Sequence, residues 1–369
     1  MINVLSIVSY NFLPPKMGGQ KGIAFFYNFF SKKANLTIIT TKDNDAVYAK
    51  GYTLLNILST SKLRYINLFY FFRIRRIIKQ KQITHLIIEH PYYGWLGILL
   101  KWFCKVKLIV HSHNIEALRF KSINKWWWSI LWNYEKFTYK NANINFFITD
   151  EDKAFAIKKF NLKPANCHTI TYGIEINEIP LPKQRQEAKE TLQKLYQINV
   201  ADKILLFNGT LDYKPNLDAL DAILQNINPL LLSQEFFAYK IIICGKALPA
   251  HYNNLKDYIS KNIIYAGFVD DINIYFKGAD IFINPVIDGG GIKTKLVEAL
   301  GNNLSSVSTQ SGATGIPNAV TGNKMCIADG WPNFANAILQ ANTKETIPAA
   351  FFDYFYWDNI AAKAKLIIN

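Results

Sequence analysis

Cysteine is scarce and scattered. Cys104, Cys167, Cys244 and Cys326 show no paired spacing, which excludes a disulfide framework and a cysteine-based zinc site and fits a reducing, cytosolic compartment. Long apolar runs are missing as well: the richest window, Tyr92 to Leu100, is stopped by Lys101, short of the ~18–20 uninterrupted residues that span a bilayer. The first apolar run, Val4 to Val8, has no basic stretch before it and reads as a buried strand, not a signal peptide. Acidic residues are scarce in one half only. Residues 1–175 hold 25 Lys/Arg against 9 Asp/Glu (25 − 9 = +16), whereas the remainder holds 17 against 18 (−1).

What is present is apolar sequence in quantity. Half of the 369 residues are hydrophobic and 14% are aromatic, enough to exclude disorder, and the length argues for two domains. The excess charge concentrates between Lys62 and Lys81, where seven basic residues and no acidic one are interleaved with Tyr65, Phe69, Tyr70, Phe71 and Phe72. Such a mixture suits nucleic acid or an anionic membrane, or is simply a solvated basic helix face. The run Lys125-Trp126-Trp127-Trp128, followed by Ile130, Leu131, Trp132 and Tyr134, is either an aromatic core filler or an interfacial patch beside Arg119 and Lys121.

Short β-branched runs alternate with longer amphipathic stretches, the pattern of strands and crossover helices in a parallel sheet. Strands are expected at Asn3–Ser9, Leu36–Thr40, His85–Ile88, Lys107–His111 and Ile144–Ile148, then at Ile204–Asn208, Lys240–Cys244, Ile263–Ala266, Ile281–Asn284, Ser305–Ser308 and Met325–Ala328. The segment Gly173 to Gln186, with Pro180 and Pro182, reads as the linker between them. Two Rossmann-like, doubly wound α/β domains facing across a cleft are expected over 1–175 and 176–350, with ligands at the carboxyl ends of the strands, followed by a C-terminal helix over 351–369.

Two glycine loops stand out. After the first strand, Pro14-Pro15-Lys16-Met17-Gly18-Gly19-Gln20-Lys21-Gly22 leads into a helix expected from Ile23; it matches neither a Walker loop nor a dinucleotide fingerprint, and taken alone an ordinary turn is the better reading. The stronger is Asn284-Pro285-Val286-Ile287-Asp288-Gly289-Gly290-Gly291-Ile292-Lys293-Thr294-Lys295, a strand end and three glycines before a helix. Free N–H groups and the positive helix end favour an anion there. Lysines in a first helical turn, where acids are the norm, point the same way. Glu298, one turn on, suits a ribose diol beside a bound diphosphate.

These residues carry a resemblance. The run Ile264-Tyr265-Ala266-Gly267-Phe268-Val269-Asp270-Asp271, Ala279-Asp280, Asn284-Pro285, Gly289 to Lys295 and Glu298-Ala299-Leu300, continued by Ser308-Thr309, Gly312, Gly315-Ile316 and Gly322, resembles the nucleotide-sugar site of family 4 retaining glycosyltransferases of the two-domain GT-B type. Gly18-Gly19, His113-Asn114-Ile115-Glu116, Asn208-Gly209-Thr210, Pro215-Asn216 and Tyr356-Trp357 extend it over nearly the whole chain. The resemblance implies metal-independent, retaining transfer of a hexose from a nucleoside diphosphate sugar, UDP- or GDP-linked, to a saccharide or lipid-linked saccharide, in cell-surface polysaccharide or glycolipid synthesis. No cofactor beyond that donor is implied. It assigns catalysis to His113 and Lys293, and donor contacts to Gly19, Gly209, Thr210, Lys214, Phe268, Gly290, Gly291, Ile292, Lys293, Thr294, Lys295 and Glu298. It makes 1–175 the acceptor-binding domain and 176–350 the nucleotide-sugar-binding domain, returns the C-terminal helix over 351–369 to the first, and puts Gly18, His111, Asn114 and Glu116 on the sugar or acceptor side.

Three departures accompany it. Gly290 stands where members often have a first glutamate eight positions before the second, here Glu298. Thr210 and Asn216 stand where an Arg and a Lys often hold the diphosphate, leaving Lys293 and Lys295 as the natural replacements, and Gly301 to Ser305 lacks a frequent proline. His111 and His113 have metal-chelating spacing, but no carboxylate or third histidine stands at matching spacing, so no metal is expected. The partners expected are the nucleotide sugar, the saccharide acceptor and an anionic membrane at the basic half, with the protein peripheral on the inner face of the cytoplasmic membrane. Nucleic acid would explain the charge but not the Glu298 block. A noncatalytic saccharide- or membrane-binding descendant and a nucleotide-sugar epimerase are the rival readings.

Overall fold

A strand covered by helices on both faces must be apolar along its whole length, and Val4, Leu5 and Ile7, or Leu86, Ile87 and Ile88, meet that demand with no exposed side chain. The computed structural model describes residues 2–16 and 18–369. The chain divides into two units, one of residues 1–175 with 355–369, the other of residues 176–354.

The first unit runs β1 (Asn3–Ile7), α1 (Gly18–Phe30), β2 (Asn35–Thr41), β3 (Thr53–Leu58), α2 (Phe69–Gln80), β4 (His85–Glu89), α3 (Gly94–Cys104), β5 (Lys107–Ser112), α4 (Glu116–Ser122), α5 (Trp128–Asn141), β6 (Ile144–Phe147), α6 (Asp150–Phe160) and β7 (Cys167–Thr169). Its seven strands are parallel, in the order β3-β2-β1-β4-β5-β6-β7. The order reverses between β1 and β4, which opens a crevice at their carboxyl ends. Leu5, Ile7, Leu86, Ile88, Leu108 and Val110 share one core with Leu96, Leu100 and Tyr139.

The second unit runs α7 (Pro182–Tyr196), β8 (Lys203–Asn208), α8 (Lys214–Ala222), a π-helical turn and α9 (Asn228–Leu232), β9 (Tyr239–Cys244), β10 (Ile263–Gly267), α10 (Ile272–Gly278), β11 (Ile281–Asn284), α11 (Thr294–Gly301), β12 (Ser305–Ser308), α12 (Asn318–Thr321), β13 (Met325–Ile327), α13 (Trp331–Leu339) and α14 (Ala349–Phe355). Six parallel strands lie in the order β10-β9-β8-β11-β12-β13, with the reversal between β8 and β11. Leu205, Phe207, Ile241, Ile283 and Val307 pack with Leu220, Ile223 and Phe334.

The last helix, α15 (Trp357–Ile368), belongs to the first unit. The backbones of Ile174 and Tyr356 form a parallel bridge. A Cβ on Gly173 would stand 2.6 Å from the Trp357 ring and 2.8 Å from the Phe355 carbonyl oxygen, so only glycine admits that approach. Trp357 is buried against Tyr172 and Phe26.

Several expectations need correction. Two edge strands, β3 and β7, were not anticipated: β3 is half-exposed and β7 has three residues, so neither shows a continuous apolar run. The linker is shorter than Gly173 to Gln186, because Pro182 opens α7 at its first position, where a fixed φ and a missing N–H cost nothing. The expected C-terminal helix over 351–369 is two helices broken at the extended Tyr356, and residues 351–354 fall in the second unit. Helix α1 begins at Gly18, not Ile23, so Gly18 and Gly19 form its first turn; Met17 of that loop lies outside the described residues.

Candidate active site

Side chains alternate between the two faces of a strand, and the β4–β5 register sets Glu89 directly beside His111. Both therefore project to one side of the sheet, where Tyr27 and Phe26 of α1 cover them. Glu89 is fully buried, and its carboxylate accepts from three donors: the Tyr27 hydroxyl and His111 Nδ1 (3.1 Å) on Oε1, and His113 Nε2 (2.6 Å) on Oε2. Burial alone would raise its pKa; the two imidazoles facing it overcome that and hold it well below the usual carboxylate range. The His113 ring is stacked on His90 at 4.5 Å and tilted against His111 at 4.8 Å. Burial, reinforced by His90, pulls its pKa down to about 4 despite Glu89, so the ring is neutral at pH 7.

A second carboxylate lies behind the first. His90 has φ +61°, rare for a residue other than glycine, and its Nδ1 stands 3.1 Å from Glu116 Oε1. Glu116 Oε2 accepts from Tyr92 (2.7 Å) and from Arg119 Nη2 (2.6 Å). Burial opposes its ionisation, but His90 and Arg119 bring its pKa down to about 2. Glu135 of α5 accepts the backbone N–H groups of Glu116 (2.9 Å) and Ala117 (2.8 Å), capping α4 from a distance; burial outweighs these bonds and pushes its pKa up to about 8.

In the second unit the crevice between β8 and β11 is bordered by Asn208-Gly209-Thr210 and the glycine loop. A Cβ on Gly209 would stand 2.8 Å from the Asn216 side chain, which donates to the Thr210 carbonyl (3.0 Å). The ammonium of Lys295 donates to the Asn208 carbonyl (2.9 Å) and to Asn216 Oδ1 (3.0 Å) and lies 4.4 Å over the Phe207 ring. Burial, with the Lys293 charge beside it, pulls its pKa down to about 7. Lys293 caps α11 and folds back on its own loop, donating to the carbonyls of Gly289 (2.7 Å) and Gly291 (3.0 Å). Gly289 and Gly291 both have positive φ, which explains glycine there. Among the described residues, Asn208 Oδ1 and Asn284 Oδ1, at the ends of β8 and β11, are buried with no hydrogen-bond partner.

Comparison with known proteins matches both units. The family described as Glycosyltransferase Family 4 matches residues 30–178, and Glycosyl transferases group 1 matches residues 202–343. The chain belongs to the family 4 glycosyltransferases. An uncharacterized 44.6 kDa protein in the cps region of Klebsiella pneumoniae is 28% identical over 256 residues, 66% of this chain and 61% of that relative, so the match spans less than two thirds of the relative's length. In fold, the chain is similar to Anabaena Alr3699/HepE solved in complex with UDP (TM-score 0.71, 11% identity, 98% of each chain). It is also similar to WaaG, a glycosyltransferase involved in lipopolysaccharide biosynthesis (TM-score 0.67, 14% identity, 99% of each chain). Both neighbours have the two-domain GT-B architecture found here.

Within this family 4 chain, the residues singled out by sequence are not equally placed. His111 is buried, its Nε2 without a partner, while His113 keeps 12% of its side chain exposed. Glu116 does not stand open to a sugar but is enclosed by His90, Tyr92 and Arg119. The Asn114 carbonyl accepts from Ser112 Oγ (2.7 Å). Gly19 has nothing within 4 Å of where a Cβ would be, so the first turn of α1 is open to a ligand. Lys214 is exposed and paired with Asp218 at 2.5 Å, and Phe268 is exposed at the end of β10. Gly290 lies exposed in the loop, with Gly291, Ile292, Thr294 and Glu298 half-buried around the start of α11.

Glu89 was missed. It is the last residue of an apolar strand, a faint signal, and its partners come from a different strand and from α1, which spacing along the chain does not reveal. It also corrects the statement that the histidine pair lacks a carboxylate: donor atoms of Glu89, His111 and His113 lie within 4.8 Å of one another, a set able to hold a metal ion. Hydrogen bonds within the set already account for their arrangement. The tryptophan run splits, with Trp126 exposed, Trp127 against Phe120 and Trp132 packed on Phe160.

Proposed function

We propose that the chain transfers a hexose from a nucleoside diphosphate sugar, UDP- or GDP-linked, to a hydroxyl of a saccharide or lipid-linked saccharide, with retention at the anomeric carbon and without a metal, in the synthesis of cell-surface polysaccharide or glycolipid. The observation that carries this reading is the Lys295 ammonium, held at the mouth of the β8/β11 crevice by Asn208 and Asn216. Asn216 stands where the family often has a lysine. Here it positions a lysine that arrives from α11, so the site keeps its cation by another route. Two of the three ammonium donors are taken, and a diphosphate oxygen is a fitting partner for the third. As the bond from C1 to the diphosphate breaks, charge grows on the leaving oxygen, and a fixed ammonium with the N–H groups of the glycine loop stabilises it where it forms. Glu298 on α11 takes the ribose hydroxyls, and His113 the sugar. The same use of Asn216 speaks against a noncatalytic descendant, which would have no need to keep the charge. A calorimetric screen of nucleoside diphosphates followed by transfer from the matching sugars tests the reading. Binding without transfer or sugar release, with any acceptor saccharide, would favour the noncatalytic rival.

The acceptor in this proposal is carried by an anionic membrane. No helix among the described residues is long and apolar enough to cross one, but the first unit has a surface suited to lie on it. Phe69 and Phe72 of α2 are exposed, as are Trp102 and Phe103 of α3, and the rings of Phe71 and Phe103, 5.4 Å apart, join the two helices. Arg73, Arg76 and Lys79 are exposed on α2, which has no acidic residue. Each basic residue near an anionic surface contributes about 1 kcal/mol, fading over a Debye length of ~10 Å. Flotation should show binding to anionic and not neutral vesicles, weakened by salt and by Phe69→Ser, Phe72→Ser or Trp126→Ala. No binding at low salt would leave a soluble acceptor.

A further inference from the structure

A carboxylate that is ionised can only accept hydrogen bonds, so every group within bonding distance of it must bring its own proton. Glu89 is such a group, sealed from solvent, and its oxygens are divided unequally: Oε1 serves both Tyr27 and His111, while Oε2 serves His113 alone. Tyr27 is itself fixed by Ser6 Oγ at 2.5 Å. The His113 ring therefore meets Glu89 with Nε2–H, and its position between the stacked His90 and the tilted His111 restricts its rotation. In a neutral imidazole, a proton on one nitrogen leaves the other bare.

We propose that Glu89 is a positioning residue that locks His113 in the Nε2–H tautomer, so that the ring offers its bare Nδ1 as an acceptor for a sugar hydroxyl and does not act as a proton donor. This rests on the reading of His113 at the sugar given above. Of the three side chains only His113 retains appreciable exposure, 12% against 4% for His111 and 0% for Glu89, so it alone is available to a ligand. The proton on Nε2 is engaged with a buried anion at 2.6 Å and is not available for delivery to a substrate. Glu116 is linked to His113 through His90, and in that outer layer Tyr10 bonds to His90 while Tyr92 and Arg119 bond to Glu116.

The test is nitrogen NMR on the full chain labelled at histidine, with His113 assigned through His113→Asn. Long-range proton–nitrogen correlations distinguish the two tautomers directly, and wild type should show Nε2–H with a bare Nδ1. Glu89→Gln gives a sharper prediction. The amide has one acceptor oxygen, which two donors claim at the Oε1 position, so its NH2 turns toward His113 and flips that ring to Nδ1–H. Turnover with the nucleotide sugar should then fall roughly tenfold or more, as for one misplaced hydrogen bond, with nucleoside diphosphate affinity unchanged. His113→Asn, whose amide oxygen lies close to the Nδ1 position, should retain more transfer than His113→Ala and should lose nothing further on adding Glu89→Gln. An Nδ1–H ring or a tautomer mixture in wild type overturns the proposal, as does a Glu89→Gln variant with unchanged spectrum and turnover. If wild type transfers from no donor, the spectrum still decides the tautomer, and the functional reading is what fails.

Discussion

The two units solve the same architectural problem in opposite ways. Each reverses its strand order beside the first strand of its sheet and places polar residues at the strand ends there, yet the first unit, +16 over residues 1–175, gathers buried carboxylates and imidazole rings at its candidate site, while the near-neutral second unit gathers lysines and glycines. Bulk charge and site charge are therefore separate properties. The basic excess of the first unit lies on its surface, at α2 above all, whereas Glu89 and Glu116 are buried beneath it, both ionised and both paired. In the second unit the proposed diphosphate contact rests on one lysine held in place by an asparagine.

That contrast can be broken most severely at Lys295. Replacing it with Met keeps an unbranched apolar stem beside Phe207 and removes the charge; transfer should fall by roughly 10²–10³-fold, the scale for deleting one preorganised group at a developing anion. If Lys295→Met transfers at the wild-type rate, the second unit does not depend on that cation. Glu298→Ala should cost less, about tenfold in nucleotide affinity for a lost charge-assisted hydrogen bond, and should affect nucleoside and nucleoside diphosphate alike; a loss confined to the diphosphate would move Glu298 away from the ribose.

A smaller and graded effect comes from pH. In the folded, ligand-free protein Lys295 titrates near 7, depressed by burial and by Lys293, whereas an unfolded lysine keeps about 10.4. Between these values the unfolded chain binds the extra proton, so ligand-free stability rises with pH through that window. Diphosphate binding has the opposite sign: it needs the ammonium, so above about pH 7 it takes up a proton and weakens as pH rises. Calorimetry in buffers of different ionisation heat reads that proton directly, and Lys295→Arg, charged throughout, should abolish the uptake.

Much of this was legible in the sequence because burial on both faces leaves a plain mark. Central strands such as β1, β4, β8 and β11 read as unbroken apolar runs, and the turn from Asn284 through the glycines to α11 was readable from residue order alone. The half-exposed β3 and the three-residue β7 left no such mark. At the sites, residue types were readable and directions were not. Lys293 and Lys295 are two positions apart, yet one curls over its own loop while the other crosses to β8. Glu89 owes its role to a strand register and a helix packed above it, contacts that join residues 22 to 62 positions apart.

The central claim is that the second unit holds a nucleoside diphosphate by a cation imported from α11. The most direct measurement is a pair of titrations, nucleoside and the matching nucleoside diphosphate, against wild type and Lys295→Met. The account predicts that the variant binds the nucleoside as wild type does and loses most of the extra affinity that the diphosphate confers. Equal affinity of both proteins for the diphosphate, or equal losses for both ligands, would contradict it.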